Sequence, residues 1–230
     1  MKIKNKLALT MVGLVAIGLA GCKKNSEEIL GESPAKFDAT THFIAGTITP
    51  KNGSYKSVYF IKLLDGNKAV FMSSGNDFSG DYSLTKDSLI VTISDPNNYR
   101  IAKYAINAQN QLTSAYYRAL TTEYMASGQL LKIETQNQLA GMTFKGEEFK
   151  LGALSNRKDL TYKFSPNSLS YGSGLDARAI TVSSNTYESI NGVAFKYKNG
   201  TNVELGFIAD KKLTLFRSSG LFYYGEFAQQ

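Results

Sequence analysis

From about residue 42 onward, hydrophobic and polar positions alternate in short runs. Ser88-Leu89-Ile90-Val91-Thr92-Ile93 places Leu89, Val91 and Ile93 on one face, the period-two signature of a half-buried strand. Val203, Leu205 and Phe207 share a face in the same way, as do Leu213 and Leu215, and Leu221, Tyr223 and Phe227 with Gly225 between the last two. Turn-forming residues punctuate these runs at Asp65-Gly66-Asn67, Lys86-Asp87, Asp95-Pro96-Asn97-Asn98, Asn107 to Gln111, Pro166-Asn167 and Asn199-Gly200. Asn199-Gly200 is the strongest hairpin signal, since Asn-Gly tolerates the two positive φ angles of a type I′ turn. The spacing predicts an all-β chain, an antiparallel up-and-down meander of roughly 14 to 17 short strands, closed as a barrel or stacked as a sandwich.

One segment reads ambiguously. Between Leu120 and Leu139, Tyr124, Leu131 and Leu139 fit one side of a helix, whereas Gly128 and Thr135 weaken that pattern and Leu130 to Thr135 fits a strand. The β-rich region at 41–230 is therefore either one domain or two halves joined near 120–140. A repeat of about 50 residues is also suggested. Gly141-Met142-Thr143-Phe144-Lys145 parallels Gly192-Val193-Ala194-Phe195-Lys196, and the Leu-Gly, Leu-Thr and Tyr-Gly pairs that follow each recur at similar distances, the kind of period that repeated units produce.

The first residues follow another pattern. Met1 to Lys6 is short and basic, and Leu7 to Leu19 is apolar and uncharged, broken only by Thr10, Gly13 and Gly18. That layout is a secretory signal. The run has 13 residues, against the roughly 20 a helix needs to span the hydrocarbon core. Leu19-Ala20-Gly21-Cys22 closes it. The tetrapeptide resembles the lipobox of bacterial lipoproteins cut by signal peptidase II: a leucine, two small residues and the cysteine that takes up diacylglycerol. The resemblance implies a cleaved leader at 1–21 and a Cys22 bearing S-diacylglycerol and an N-acyl chain, and several chains anchor stably where one does not. Residues 22–40 then form the lipidated end and a flexible tether, with Gly31, Ser33 and Pro34 as breakers. An aspartate after the cysteine would resemble an inner-membrane retention signal, and Lys23 in its place favours the outer membrane, with the periplasmic or surface face left open. Lys23-Lys24 with Glu27-Glu28 resembles, loosely, a surface-export signal, and a merely solvated tether explains it equally well.

Composition sharpens this picture. Cys22 is the single cysteine, so lipidation accounts for the odd thiol and no disulfide is available to the body. Loss of the leader removes three lysines and leaves 23 basic against 19 acidic residues. So small an excess, without an arginine cluster, does not suggest a nucleic-acid partner. Fourteen Tyr and 13 Phe without a Trp suit half-buried pleated surfaces.

Phe78-Ser79-Gly80-Asp81-Tyr82-Ser83-Leu84 followed by Asp87-Ser88-Leu89, with Tyr104-Ala105-Ile106 and Leu112-Thr113 beyond, resembles small bacterial lipocalin-like domains over about 57–118. The Gly-x-Trp signature of that group is missing. The resemblance implies a meander and carries little about function.

Candidate chemistry is sparse. His42 is the one histidine, too few for an ordinary zinc site, and a strand-end role suits it. No Gly-x-Ser-x-Gly elbow, P-loop or dinucleotide fingerprint occurs. Asp77 and Asp81, and Glu147 with Glu148, are the carboxylate pairs that a glycosidase-like hydrolase of envelope polysaccharide would need, and turn or edge roles are the commoner use. Tyr116-Tyr117, Tyr171, Tyr187, Tyr197 and Phe222-Tyr223-Tyr224 either line a ligand site or pack the core. No cofactor and no metal is implied. The expected protein is a membrane-anchored, non-enzymatic envelope lipoprotein that binds a small hydrophobic molecule, a glycan or an envelope protein. A hydrolase and a structural or assembly component of an outer-membrane complex are the alternatives.

Overall fold

The computed structural model describes residues 38–151 and 153–230. The leader, Cys22 and the tether up to residue 37 lie outside the described residues. A one-turn 3-10 helix at Ala39–Thr41, capped by the Asp38 side chain, leads directly into strand. Nearly all that follows is antiparallel β, as the alternation predicts.

Strands β1 (His42–Pro50), β2 (Ser57–Leu64), β3 (Lys68–Met72), β4 (Phe78–Leu84), β5 (Ser88–Ile93), β6 (Arg100–Ile106), β7 (Leu112–Ala119) and β8 (Thr122–Lys132) pair in sequence order and close into a barrel. β8 returns to β1 in a continuous register from His42↔Lys132 to Pro50↔Tyr124. The helical reading of 120–139 is thereby corrected: 122–132 is strand. The competing helical period there comes from Tyr124 and Leu130, which alternate into the barrel, and Leu131, which packs outside it.

The barrel closes where two glycines face each other, Gly46 opposite Gly128. A Cβ at Gly46 would stand 2.0 Å from the Ser127 carbonyl oxygen, and one at Gly128 2.8 Å from the Tyr104 ring. The space they leave is filled by Tyr59 and Tyr104, whose hydroxyls meet at 2.8 Å.

Nine further strands form the second sheet: β9 (Thr143–Lys150), β10 (Leu154–Phe164), β11 (Ser170–Gly174), β12 (Asn185–Thr186), β13 (Glu188–Ile190), β14 (Ala194–Asn199), β15 (Asn202–Ala209), β16 (Lys212–Ser219) and β17 (Leu221–Gln229). Their order is β12-β11-β10-β9-β17-β16-β15-β14-β13. The two edge strands are separated by Tyr187 alone, so a single segment, 185–190, lines both edges. The second sheet is thus a barrel-like meander eight strand positions around, with one position split.

The 50-residue parallel does not follow the strands. Gly141 and Gly192 do both turn at positive φ (72° and 74°) just ahead of a strand, but Leu151 lies in a turn while Leu205-Gly206 lies inside β15. At Asn199-Gly200 the hairpin forms as expected with a different turn. Asn199 pairs with Asn202, and Gly200 alone of the two loop residues has positive φ, 59°, a type II′ pattern.

Where the barrels meet, strands are buried on both faces. In β1 and β2, Ile44, Tyr59 and Ile61 point inward, while Phe43, Ala45, Val58 and Phe60 point out. These outer residues pack on Val203, Leu205, Phe207 and Phe216 of the second sheet, with Phe60 edge-on to Phe207 at 6.3 Å. Lys196 reaches Asp77 across the junction at 2.9 Å, and Lys56 sits 4.2 Å over the Tyr224 ring.

Candidate functional site

The residues singled out by sequence do not assemble into one site. His42 stands at the start of β1 with Nδ1 2.9 Å from Thr41 Oγ1 and 3.1 Å from the Asp38 carbonyl oxygen. Asp77 is paired with Lys196, and Asp81 with Lys68 at 2.6 Å. Glu147 accepts from the Ser155 hydroxyl. Of the aromatic set, Tyr117, Tyr171, Tyr187 and Tyr224 are buried. Tyr116, Tyr197 and Tyr223 are half-buried and Phe222 is exposed. Most of the proposed platform is core.

Glu148 does belong to a cluster, with partners that the sequence did not disclose. Its carboxylate is fully buried. Arg217 donates to it through both Nε and Nη2 at 2.8 Å, a two-bond fork, and Asn156 Nδ2 donates at 2.6 Å. Arg157 Nε lies 3.7 Å away. Local backbone explains the convergence. Gly225, opposite Glu148 on β17, contributes no side chain of its own between β9 and β16, and the Phe227 ring lies over it. Register shifts in β10 on both sides of Arg157 bring that residue opposite Glu148, which is what a β-bulge does to a side chain's aim. The Arg217 guanidinium also covers the Tyr223 ring at 3.8 Å.

Beside this pair lies a second carboxyl, Glu204, 8 % exposed and opposite Arg217 and Tyr197 in register. Burial pushes its pKa up to about 7, and the Glu148 charge adds to the rise. The phenols of Tyr171 and Tyr162 and the charge of Arg217 pull the other way. Glu204 Oε2 and Tyr171 Oη are nonetheless buried without a hydrogen bond of ordinary geometry. Burial likewise holds Tyr171 and Tyr162 well above the usual phenol range.

A half-open cavity of about 200 Å³ lies elsewhere, at the root of the described chain. Thr40, Lys62, Asp65 and Asn191 supply its polar lining, and Leu63, Leu64 and Ile133 its apolar wall. Backbone bonds hold the wall in place: Ile133 N–H donates to Thr41 O at 2.9 Å, Glu134 N–H to Asn191 O at 3.0 Å and Gln138 N–H to Gly192 O at 2.7 Å. Asn191 and Gly192 both sit at positive φ. Asn191 Nδ2 is buried with no hydrogen-bond partner. The cavity therefore sets the side chains of Thr40, Lys62 and Asp65 beside aliphatic Leu63, Leu64 and Ile133, with Asn191 in its wall.

Sequence reasoning missed Glu204, Arg217, Lys62 and Asn191. Glu204 and Lys62 carried a signal: each is a charge set inside an otherwise apolar strand run, Val203-Glu204-Leu205-Gly206-Phe207 and Phe60-Ile61-Lys62-Leu63-Leu64. Among the described residues, no group of three or more His, Cys, Asp or Glu is placed to hold a metal ion. Comparison with protein-family models, with curated proteins and with solved structures finds no match to this chain.

Proposed function

We propose that the mature chain is a lipid-anchored envelope lipoprotein, held at the outer membrane through acylated Cys22, that binds its ligand outside its barrels rather than within them. The observation that carries this reading is the state of the barrel interiors. A calyx binder needs an open barrel, but in the first barrel Tyr59, Phe71 and Tyr117 stack on one another at 5.1–6.1 Å. In the second, Phe164 packs against Tyr171, Tyr187 and Phe195 at 5.4–5.6 Å. The spare binding capacity lies at the half-open cavity where Lys62, Asp65 and Asn191 stand beside Leu63, Leu64 and Ile133. A ligand suited to it is a small polar molecule or one sugar-sized unit bearing a carbonyl or carboxylate oxygen, with an aliphatic portion for Leu63 and Ile133.

Native mass spectrometry of the lipoprotein extracted in mild detergent tests the reading. A bound small molecule or glycan fragment is expected from the wild type and depleted in Asn191→Leu. Equal recovery from both, or none from the wild type, counts against the cavity. Labelled palmitate should enter the wild type and not Cys22→Ser, and equal labelling would remove the anchor.

One observation favours a hydrolase as the second reading. Glu148 and Glu204 share a cluster in which Arg217 holds one carboxyl through two bonds and burial pushes the other up to about 7, two carboxyls in unlike environments as acid–base pairs need. Release of reducing ends from envelope polysaccharide, abolished in both Glu148→Gln and Glu204→Gln, would establish it. Against it stands the engagement of both Glu148 oxygens by Arg217.

A further inference from the structure

We propose that Glu204 is a proton-controlled latch on the seam of the second barrel: with its carboxyl neutral the 170–190 wall stays closed, and ionisation loosens that wall. The geometry begins with charge accounting. Two carboxyls, Glu148 and Glu204, share the mouth of this barrel with one dedicated guanidinium, Arg217, whose two short bonds both go to Glu148. Arg157, the other cation, is 43 % exposed and approaches Glu148 rather than Glu204. Glu204 is the carboxyl left without a cation of its own, and its Oε2 is buried and unbonded. The groups that act on it are Arg217 on β16, Glu148 on β9, Tyr162 on β10 and Tyr171 on β11, with Tyr197 on β14 opposite it. None of them is a free cation, and one is a second anion. A buried carboxylate so placed is penalised unless it is neutral or reaches water.

The way to water is the adjacent wall. β12 holds β11 through two residue pairs, Ser170↔Thr186 and Tyr171↔Asn185. β13 holds β14 through three, Glu188↔Lys196 to Ile190↔Ala194. Beyond these pairs Gly172–Gly174 and Tyr197–Asn199 have no strand between them, and the non-strand segment 175–184 fills the space. That segment lies close enough for a Cβ on Gly172 to stand 2.3 Å from the Thr181 carbonyl oxygen. Tyr171 and Tyr197 meet edge to face across the same gap at 5.8 Å. So few ladder bonds make 170–190 the part of the barrel that opens locally at least cost. The burial-driven rise of the Glu204 pKa to about 7 sets the range. From about pH 4.5, the ordinary carboxyl value, up to that pKa the closed wall loses stability by up to about tenfold in the opening equilibrium per pH unit, and above it the loss levels off.

Hydrogen exchange of the full lipidated protein in detergent, followed from pH 5.5 to 8.5, tests this. The amides of β1 and β8 serve as an internal reference that removes the intrinsic base dependence of exchange. Relative to them, protection at 171–174 and 185–190 is expected to fall about tenfold between pH 5.5 and 7.5, to level off above that in the wild type, and to stay level throughout in Glu204→Gln. A flat wild-type profile, or the same decline in Glu204→Gln, overturns the proposal. Should Glu204→Gln fail to fold, ¹³C titration of the glutamate carboxyls in the wild type decides. One glutamate still titrating above pH 6 supports the latch, and none doing so overturns it.

Discussion

The two barrels share a topology and fill it differently. In the first, the interior is mostly aliphatic and aromatic, with one guanidinium, Arg100, at its edge 3.5 Å over the Phe78 ring, and its central polar contact is the uncharged hydroxyl pair of Tyr59 and Tyr104, with Tyr59 donating on to the Ser127 carbonyl at 2.9 Å. In the second, an aromatic cluster fills one part and Glu148, Arg217 and Glu204 occupy the mouth. The seams differ in parallel. β1 and β8 pair along the whole of β1, whereas the second barrel closes through two short strands flanking Tyr187. An apolar interior is insensitive to pH and gains from every methylene buried. An interior containing charges is held by a few directional bonds, and removing one partner leaves an unpaired ion. One architecture thus yields a steady half and a conditional half.

The largest expected effect tests whether the ion pair carries the second barrel. Arg217→Ala strands Glu148 at zero exposure and should lower unfolding free energy by about 3–5 kcal/mol, read as a shift in denaturant midpoint. The double variant Glu148→Leu/Arg217→Met should recover much of that loss, because well-packed apolar replacements of a buried pair are often neutral or better. A single variant that unfolds with the wild type would mean the pair is idle and the contrast between barrels is smaller than drawn.

Next in size is the pH contrast. The folded pKa of Glu204, about 7, lies above its unfolded value of 4.5, so its stabilising proton is fully present below pH 4.5. That contribution is lost as pH rises through 7. Over that range stability should fall by roughly 3 kcal/mol at most. Glu204→Gln should match the wild type near pH 4.5 and exceed it at pH 8 in equilibrium unfolding. If the variant is no more stable than the wild type at pH 8, the carboxyl is relieved in some other way.

Much of this contrast was legible in the sequence at one level and hidden at another. Strand positions were readable because period-two alternation and turn residues are local, and Leu89, Val91 and Ile93 are inside as their spacing requires. The closure of the barrels was not readable, since it depends on pairings such as Gly46 with Gly128 that lie 82 residues apart. Runs apolar on both faces, Phe43 to Ile48 and Ser57 to Leu63, do mark the strands sandwiched between barrels, a signal that alternation alone passes over. The charged cluster was half visible. Glu148 stood out as one of an adjacent acidic pair, but its ligand Arg217 comes from a strand 69 residues away. Adjacent acids on a strand face opposite sides, so Glu147 and Glu148 were never going to act together. Asn191 gave no chemical signal, because its donor is orphaned only by how the 133–138 linker is stitched over it.

The seam of the first barrel offers a test of similar kind and smaller size. Gly46→Ala places a methyl group 2.0 Å from the Ser127 carbonyl oxygen, a backbone atom that can retreat only by shifting β8. Strain of this kind costs about 1–3 kcal/mol, and it should appear as weakened amide protection along β1 and β8 with the second barrel's protection unchanged. Equal loss in both barrels would mean that they unfold as one cooperative unit.

The smallest effect isolates the hydroxyl pair. Tyr104→Phe removes one oxygen and keeps the ring, so packing against the Gly128 backbone survives. Tyr59 keeps its bond to the Ser127 carbonyl, and no donor is orphaned. The loss should be about 0.5–1.5 kcal/mol, the net worth of one neutral hydrogen bond. It should also be the same at pH 5 and pH 8, because burial holds both phenols above the usual range and neither ionises there. Tyr59→Phe should cost more, since it leaves the Ser127 carbonyl without that donor as well as breaking the pair. If the two variants are equally stable, the bond to Ser127 contributes nothing. A pH dependence in Tyr104→Phe that the wild type lacks would show that a group in the first barrel's interior titrates over that range, and the distinction between a steady and a conditional half would fail.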